Sequence, residues 1–404
     1  MPSQVKRPAD SYSPLYFLSS VGAGGVAVTF FMFLMFWVPH PDRPVPIFED
    51  IVAAWARGNL PQQVAIAIAM GGIALFAVLN LKALVWNIAA IGRFKQTEAY
   101  TKLRNSNAES TLAAYPLAVA MSINASFIVG LVFVPGLWSV VEYLFPAAMA
   151  AFFLTGLFAL RTIGHFLGRV LTKGGVFDMT AHNSFAQMLP AFSLAMVGVG
   201  FAAPAAMSAT PQTVAAALVL STFFGIGAIL YGLYASVTGF ASMLHYGTAR
   251  ESGPTLMIMV PLMTILGILF MRQTHGLHVT FDVHASDAET MMFLIRLVSV
   301  QVVFLLLGTL VLRAQGYFSD FVLGSRTSPG SYALVCPAVA FNVLGMFLVH
   351  KGFVAAGVLD KFSAGYWAIT AVFLAAQAIA VLLVFRLNRQ HFGKPAARVA
   401  VPAE

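Results

Sequence analysis

The sequence is short of charge and of cysteine. Only 9% of its 404 residues are Asp, Glu, Lys or Arg, whereas 59% are hydrophobic; a soluble domain carries roughly 25% charge. So little polar surface cannot cover a water-soluble globule, which excludes a sizeable soluble domain and leaves lipid as the solvent. The one cysteine, Cys336, cannot form an internal disulfide or a multi-thiolate metal site. No P-loop, GxSxG or zincin motif is present, which argues against ATP-driven transport by this chain alone. Gly198-Val199-Gly200 with Ala203 spells a dinucleotide fingerprint, but it sits in an apolar run with no strand before it and is discarded.

What is present is long apolar runs rich in Phe, with 35 Phe against 11 Tyr and 5 Trp. Phe sits in hydrocarbon without needing a hydrogen-bond partner. A membrane span takes about 20 apolar residues. Ten segments qualify: 16–38, 64–91, 111–134, 138–162, 184–206, 212–240, 254–273, 290–313, 332–356 and 364–387. The expected fold is an all-α integral membrane protein, with ten transmembrane helices arranged as five helical hairpins. Residues 1–15 form an N-terminal segment, 16–387 the membrane domain and 388–404 a tail. The first run, Tyr16 to Val38, is longer than the roughly 7–15 residues of a signal-peptide core, and no clear small-x-small site follows it. After the proline-rich stretch Pro39 to Pro46, the apolar residues Ile47, Phe48, Ile51 and Trp55 predict a short interfacial helix.

The net charge of +8 comes from basic residues scattered through short loops, so the partner it implies is membrane lipid and not nucleic acid. Of the 23 Lys and Arg, Arg43, Arg57, Arg272, Lys351 and Lys361 fall on one side, Lys82 and Arg296 lie inside spans, and the other sixteen fall on the side of the termini. The positive-inside rule then places both termini in the cytoplasm, as for a multi-pass protein of a bacterial inner membrane.

Each odd span carries a proline at or near its N-terminal half: Pro14, Pro116, Pro190, Pro261 and Pro337. Eight residues after it stand Gly22, Asn124, Gly198, Leu269 and Gly345, and six before it three windows have Ser110, Ser184 and Ser331. Proline removes a helix hydrogen bond and bends the helix; in a membrane the freed carbonyls need protein or cavity water. Five bent odd helices are therefore expected to line a central pore, with the even helices outside. Proline and glycine are also simply commoner in membrane helices.

With five hairpins, bent inner helices and the cluster Gly22-Ala23-Gly24-Gly25 in the first span, the chain resembles the tellurite-resistance/dicarboxylate transporter superfamily. That group includes TehA-like proteins, slow anion channels, and malate and sulfite carriers. The resemblance implies anion passage along the inner helices and a homo-oligomer, a trimer. In its channel members a phenylalanine beside the proline of the ninth helix plugs the pore. The matching position here is Cys336, before Pro337, so the gate is either displaced to Phe341 or not used.

Polar residues on odd spans, namely Ser20, Ser122, Asn124, Ser193, Thr264 and Asn342, are candidates for the substrate path, since neutral donors hold an anion without trapping it. They are equally suited to tying helices together. Lys82 either snorkels to the inner interface or draws anions to the inner mouth. Glu142 and Arg296 lie at similar outer depth; they are placed either to pair across helices, a structural role, or to act in transport. His275, His278 and His284, with Asp282 and Asp287, are read as one external loop, a weak zinc signal; no metal and no cofactor are assigned. The leading function is a channel or secondary transporter for a small anion (dicarboxylate, sulfite or other sulfur oxyanion, chloride or tellurite), not an enzyme. The alternative is a membrane redox subunit carrying haem or quinone, for which His165, His182 and His245 on the cytoplasmic side offer axial ligands.

Overall fold

The computed structural model describes residues 9–41, 43–173, 177–181, 183–282 and 286–393. These are helical, with no strand among them. Ten helices are long and apolar enough to cross a membrane: Pro14–Trp37, Leu60–Phe94, Asn107–Phe133, Leu137–Thr172, Phe185–Met207, Pro211–Tyr246, Arg250–Phe281, Asp287–Ala314, Pro329–Val354 and Ala364–Phe392. Several run past the apolar stretches that announce them; the seventh continues to Phe281 where hydropathy stops at 273. A helix keeps its hydrogen bonds beyond the hydrocarbon, where polar side chains carry no penalty. The short helix expected after the proline-rich stretch is present as Phe48–Arg57, and a second short helix, Glu98–Arg104, lies between the second and third spans.

The odd spans are the inner layer. In their apolar cores 83, 50, 94, 72 and 83% of residues are buried, against 33, 33, 33, 17 and 28% in the even spans. The first span packs on the third, the third on the fifth, the fifth on the seventh, the seventh on the ninth and the ninth on the first, which closes a ring. Each even span packs on its own hairpin partner and on the next inner helix. Ten crossings bring both chain ends to one face, called here the terminal face.

Small residues make the ring tight. A Cβ on Gly22 would press on Val335 and one on Gly25 on Val339, so these glycines let the first helix close on the ninth. Gly198 faces Leu269 and Gly200 faces Phe152; the apparent nucleotide fingerprint is a packing surface.

All five inner spans begin with a 3-10 turn: Pro14–Tyr16, Asn107–Ala113, Phe185–Met188, Arg250–Ile258 and Pro329–Leu334. Four of these turns are capped by a serine oxygen that accepts a backbone N–H two residues on, from Ser13, Ser106, Ser184 and Ser328. Of the three serines that stand six residues before a proline, only Ser184 is such a cap. Ser110 and Ser331 lie inside the turns, bonded to the Asn107 carbonyl at 3.0 Å and to the Tyr317 hydroxyl at 2.8 Å. Pro116, Pro190, Pro261 and Pro337 each fall in the first turn of the α-helical segment that follows. The missing N–H thus falls at the seam between two hydrogen-bonding patterns, where it disrupts least.

Candidate functional site

The first, fifth, seventh and ninth spans enclose a cavity of about 10 Å³ near the terminal face, lined by Leu18, Leu189, Phe192, Pro254, Thr255, Ile258, Pro261, Ala333 and Cys336. That is room for about one water. The wall is apolar except for Thr255 and Cys336, and the Thr255 hydroxyl is committed to the Ser252 carbonyl at 2.6 Å. Five helix N-termini gather at this end of the ring, and each brings a partial positive charge of roughly half a unit.

Cys336 lies on the cavity wall, whereas Phe341 does not. Five residues turn a helix by about 500°, which leaves Phe341 about 140° away from Cys336. Its ring packs edge-on against Phe373 of the tenth span, centroids 5.1 Å apart. The aromatic on the cavity wall is Phe192 of the fifth span, 2% exposed.

Among the polar candidates, Ser20, Thr264 and Asn342 join helices. Ser20 Oγ donates to the Asn80 carbonyl at 3.1 Å, and Asn80 Nδ2 returns a bond to Ser20 Oγ at 2.9 Å. Thr264 Oγ1 donates to the Ala340 carbonyl at 2.9 Å and accepts from Gln301 Nε2 at 2.6 Å, linking the seventh, eighth and ninth spans. Asn342 Nδ2 donates to the Phe373 carbonyl at 2.9 Å. Ser122 bonds back to the Ala118 carbonyl at 2.9 Å, and Asn124 to the Ala120 carbonyl at 3.0 Å. Of the four hydroxyls only Ser193, next to Phe192, is buried with no partner.

The Glu142–Arg296 pair does not form. Glu142 accepts from Ser208 Oγ and the Ala209 N–H, both at 2.7 Å, and from Thr210 Oγ1 at 3.1 Å. It thereby caps the turn between the fifth and sixth spans. Arg296 is exposed on the eighth span, which packs on the seventh and ninth, while the fourth packs on the third, fifth and sixth, so the two residues sit on helices that do not meet. Lys82 is likewise exposed, on the second span. His275 and His278 lie on the seventh helix and not in a loop; His284 is outside the described residues, among which no three His, Cys, Asp or Glu side chains gather to hold a metal ion.

Three polar assemblies escape sequence reading. The first is Glu109, whose fully buried side chain meets Arg104 at 2.9 Å, His165 at 2.7 Å and Arg169 at 2.8 Å. Arg169 also donates to the Ser106 carbonyl at 2.9 Å, so the cluster pins the start of the third span to the end of the fourth. The second surrounds His350, in a π-helical turn Leu348–Val354. Its Nδ1 lies 2.8 Å from the Met346 carbonyl and its Nε2 2.8 Å from the Tyr366 hydroxyl, which accepts from Trp37 Nε1 at 2.7 Å. A carbonyl only accepts, so Nδ1 carries the proton and Nε2 receives one from Tyr366. The third is Arg272 on the seventh helix, which donates from Nη1 to the Val199 carbonyl of the fifth at 2.9 Å. Of the histidines weighed for haem, His165 is bound to Glu109, His245 is exposed and His182 is outside the described residues.

Beyond the spans, His40 titrates below the usual histidine range, chiefly because burial disfavours its cation; Lys351 and Lys361 nearby push the same way, against the Val38 carbonyl and Asp50. Burial also lowers Lys361.

The chain is a multi-pass, all-α integral membrane protein of ten apolar spans. No protein-family model, no curated protein and no solved structure matches it.

Proposed function

We propose that the chain moves a small anion across the membrane along the axis of the inner ring, as a channel or secondary transporter. The observation that carries this reading is the closed ring of five inner helices, all starting at the same end, with a small cavity at that end lined by four of them. That end favours anions through the N-termini of the inner helices, which line the cavity while the opposing C-termini of the even spans lie in the outer layer, and its apolar wall holds no fixed charge that would trap one. The two-layer plan of five hairpins also supports the resemblance to tellurite-resistance/dicarboxylate transporters, with their oxyanion, chloride and dicarboxylate substrates and trimeric assembly. In this reading the terminal face, the side to which the sequence assigns sixteen of the 23 basic residues, is the cytoplasmic face of a bacterial inner membrane. Phe192, with Leu18 and Cys336, closes the path in the state described.

The test is anion flux into proteoliposomes, with chloride, sulfite and malate compared. The wild-type protein passes at least one of them above protein-free vesicles, and Phe192→Ala passes it faster. A colourless protein is expected; a Soret band with no flux would replace this reading with the haem-carrying redox subunit.

A further inference from the structure

Among the described residues, Arg272 on the inner ring has no acid to balance its charge. Arg272 stands eleven residues after Pro261 on the same helix, which at about 100° per residue returns it to within about 20° of the face of Pro261. Pro261 and Ile258 of that face line the axial cavity. The carbonyl that Arg272 holds belongs to Val199, seven residues after the cavity-lining Phe192 and again within about 20° of its face. The bond therefore seats the guanidinium between two axis-facing strips of the fifth and seventh helices, beyond the cavity toward the far side. No carboxylate pairs with it among the described residues. Nη1 is the atom engaged; among the described residues Nε and Nη2 hold no hydrogen-bond partner. Lys351 lies near His275 and His40, and Lys361 near His40 and His350, so the far end of the path has cations around it.

We propose that Arg272 is an anion-binding residue of the path, and that its free Nε–Nη2 edge takes two oxygens of one carboxylate or sulfur oxyanion. The inference rests on the anion-path reading and narrows its substrate class. Two parallel N–H groups fit two oxygens of a planar or pyramidal oxyanion, whereas a halide offers the fork a single centre. The bond from Nη1 to Val199 fixes the plane of the fork, so less order is lost when the anion arrives.

The experiment compares sulfite, malate and chloride flux in proteoliposomes of the wild type, Arg272→Lys and Arg272→Gln. Arg272→Lys keeps the charge and loses the fork. The expected result is a fall of about tenfold or more in sulfite and malate flux, with chloride flux changed much less. Sulfite and malate flux undiminished in both variants overturns the proposal and leaves the anion path standing; no flux of any anion through the wild type overturns both. Should the variants fail to insert, the wild type alone decides. Phenylglyoxal modification of Arg272, followed by mass spectrometry, is slowed by sulfite or malate and not by chloride at equal ionic strength. Equal modification in all three salts overturns the proposal.

Discussion

Cys336 and Phe341, five residues apart on the ninth helix, point to opposite sides of it: Cys336 into the axial cavity and Phe341 onto Phe373 of the outer layer. Substitution at Phe341 and at Phe192 should therefore separate cleanly. Phe341→Ala removes an interhelical ring contact and costs about 1–3 kcal/mol of stability, below the ~3–5 kcal/mol of a fully buried ring, and leaves flux unchanged. Phe192→Ala raises flux. Thermal unfolding and proteoliposome flux on both variants check the assignment; a flux change at Phe341 alone would move the gate to the ninth helix.

Glu109 carries the terminal end of the third span. Glu109→Gln leaves Arg169, itself almost wholly buried, without its counter-charge, and breaking such a pair from one side costs about 3–5 kcal/mol. The variant is expected to unfold at lower temperature, and Arg169→Gln in the same chain to recover part of the loss. A double variant no more stable than Glu109→Gln would show that the cluster is not a coupled unit.

The ten spans and the division into inner and outer helices were legible because lipid enforces both. Hydrocarbon admits only long apolar helices, and helices that touch on all sides need small residues such as Gly22, Gly25 and Gly198. Side-chain partners were not legible. Arg272 lies at the end of the apolar stretch and reads as a loop residue, yet the helix runs on to Phe281 and keeps it beside Val199. Glu109 sits in a polar stretch that reads as a linker, and only the fold of the fourth span brings His165 and Arg169 to it. Phe341 shows how a sequence offset misleads when its angle around the helix is not counted.

Glycine positions give a paired control. At Gly276 an added Cβ would strike the Ala205 carbonyl, whereas at Gly71 it meets nothing within 4 Å. Backbone cannot yield as a side chain can, so Gly276→Ala forces the seventh span off the fifth and costs about 1–3 kcal/mol. Gly71→Ala, on a helix surface, is neutral or gains up to about 1 kcal/mol. Melting temperatures of the two purified variants decide; equal values would contradict the packing described.

Acid should weaken the far-side loop. His40 is held neutral by burial, so its folded pKa lies below the ordinary 6.5. The sign follows: the contribution to stability is fully present above the unfolded value and is lost as pH falls below about 6.5 toward the depressed folded value. Unfolding temperature measured from pH 8 down to 5 should drop, and His40→Gln should flatten part of that slope. An unchanged slope in the variant would assign the acid sensitivity to another group.

The central claim is that the anion path runs through the cavity faced by Cys336. This chain has one cysteine, so methyl methanethiosulfonate adds its S-methyl group there and nowhere else. The cavity has room for about one water, and the added group fills it. Flux through the modified protein is predicted to collapse, to recover on reduction, and to be untouched by the reagent in Cys336→Ser. Complete modification of Cys336, verified by mass spectrometry, with flux unchanged would contradict the account.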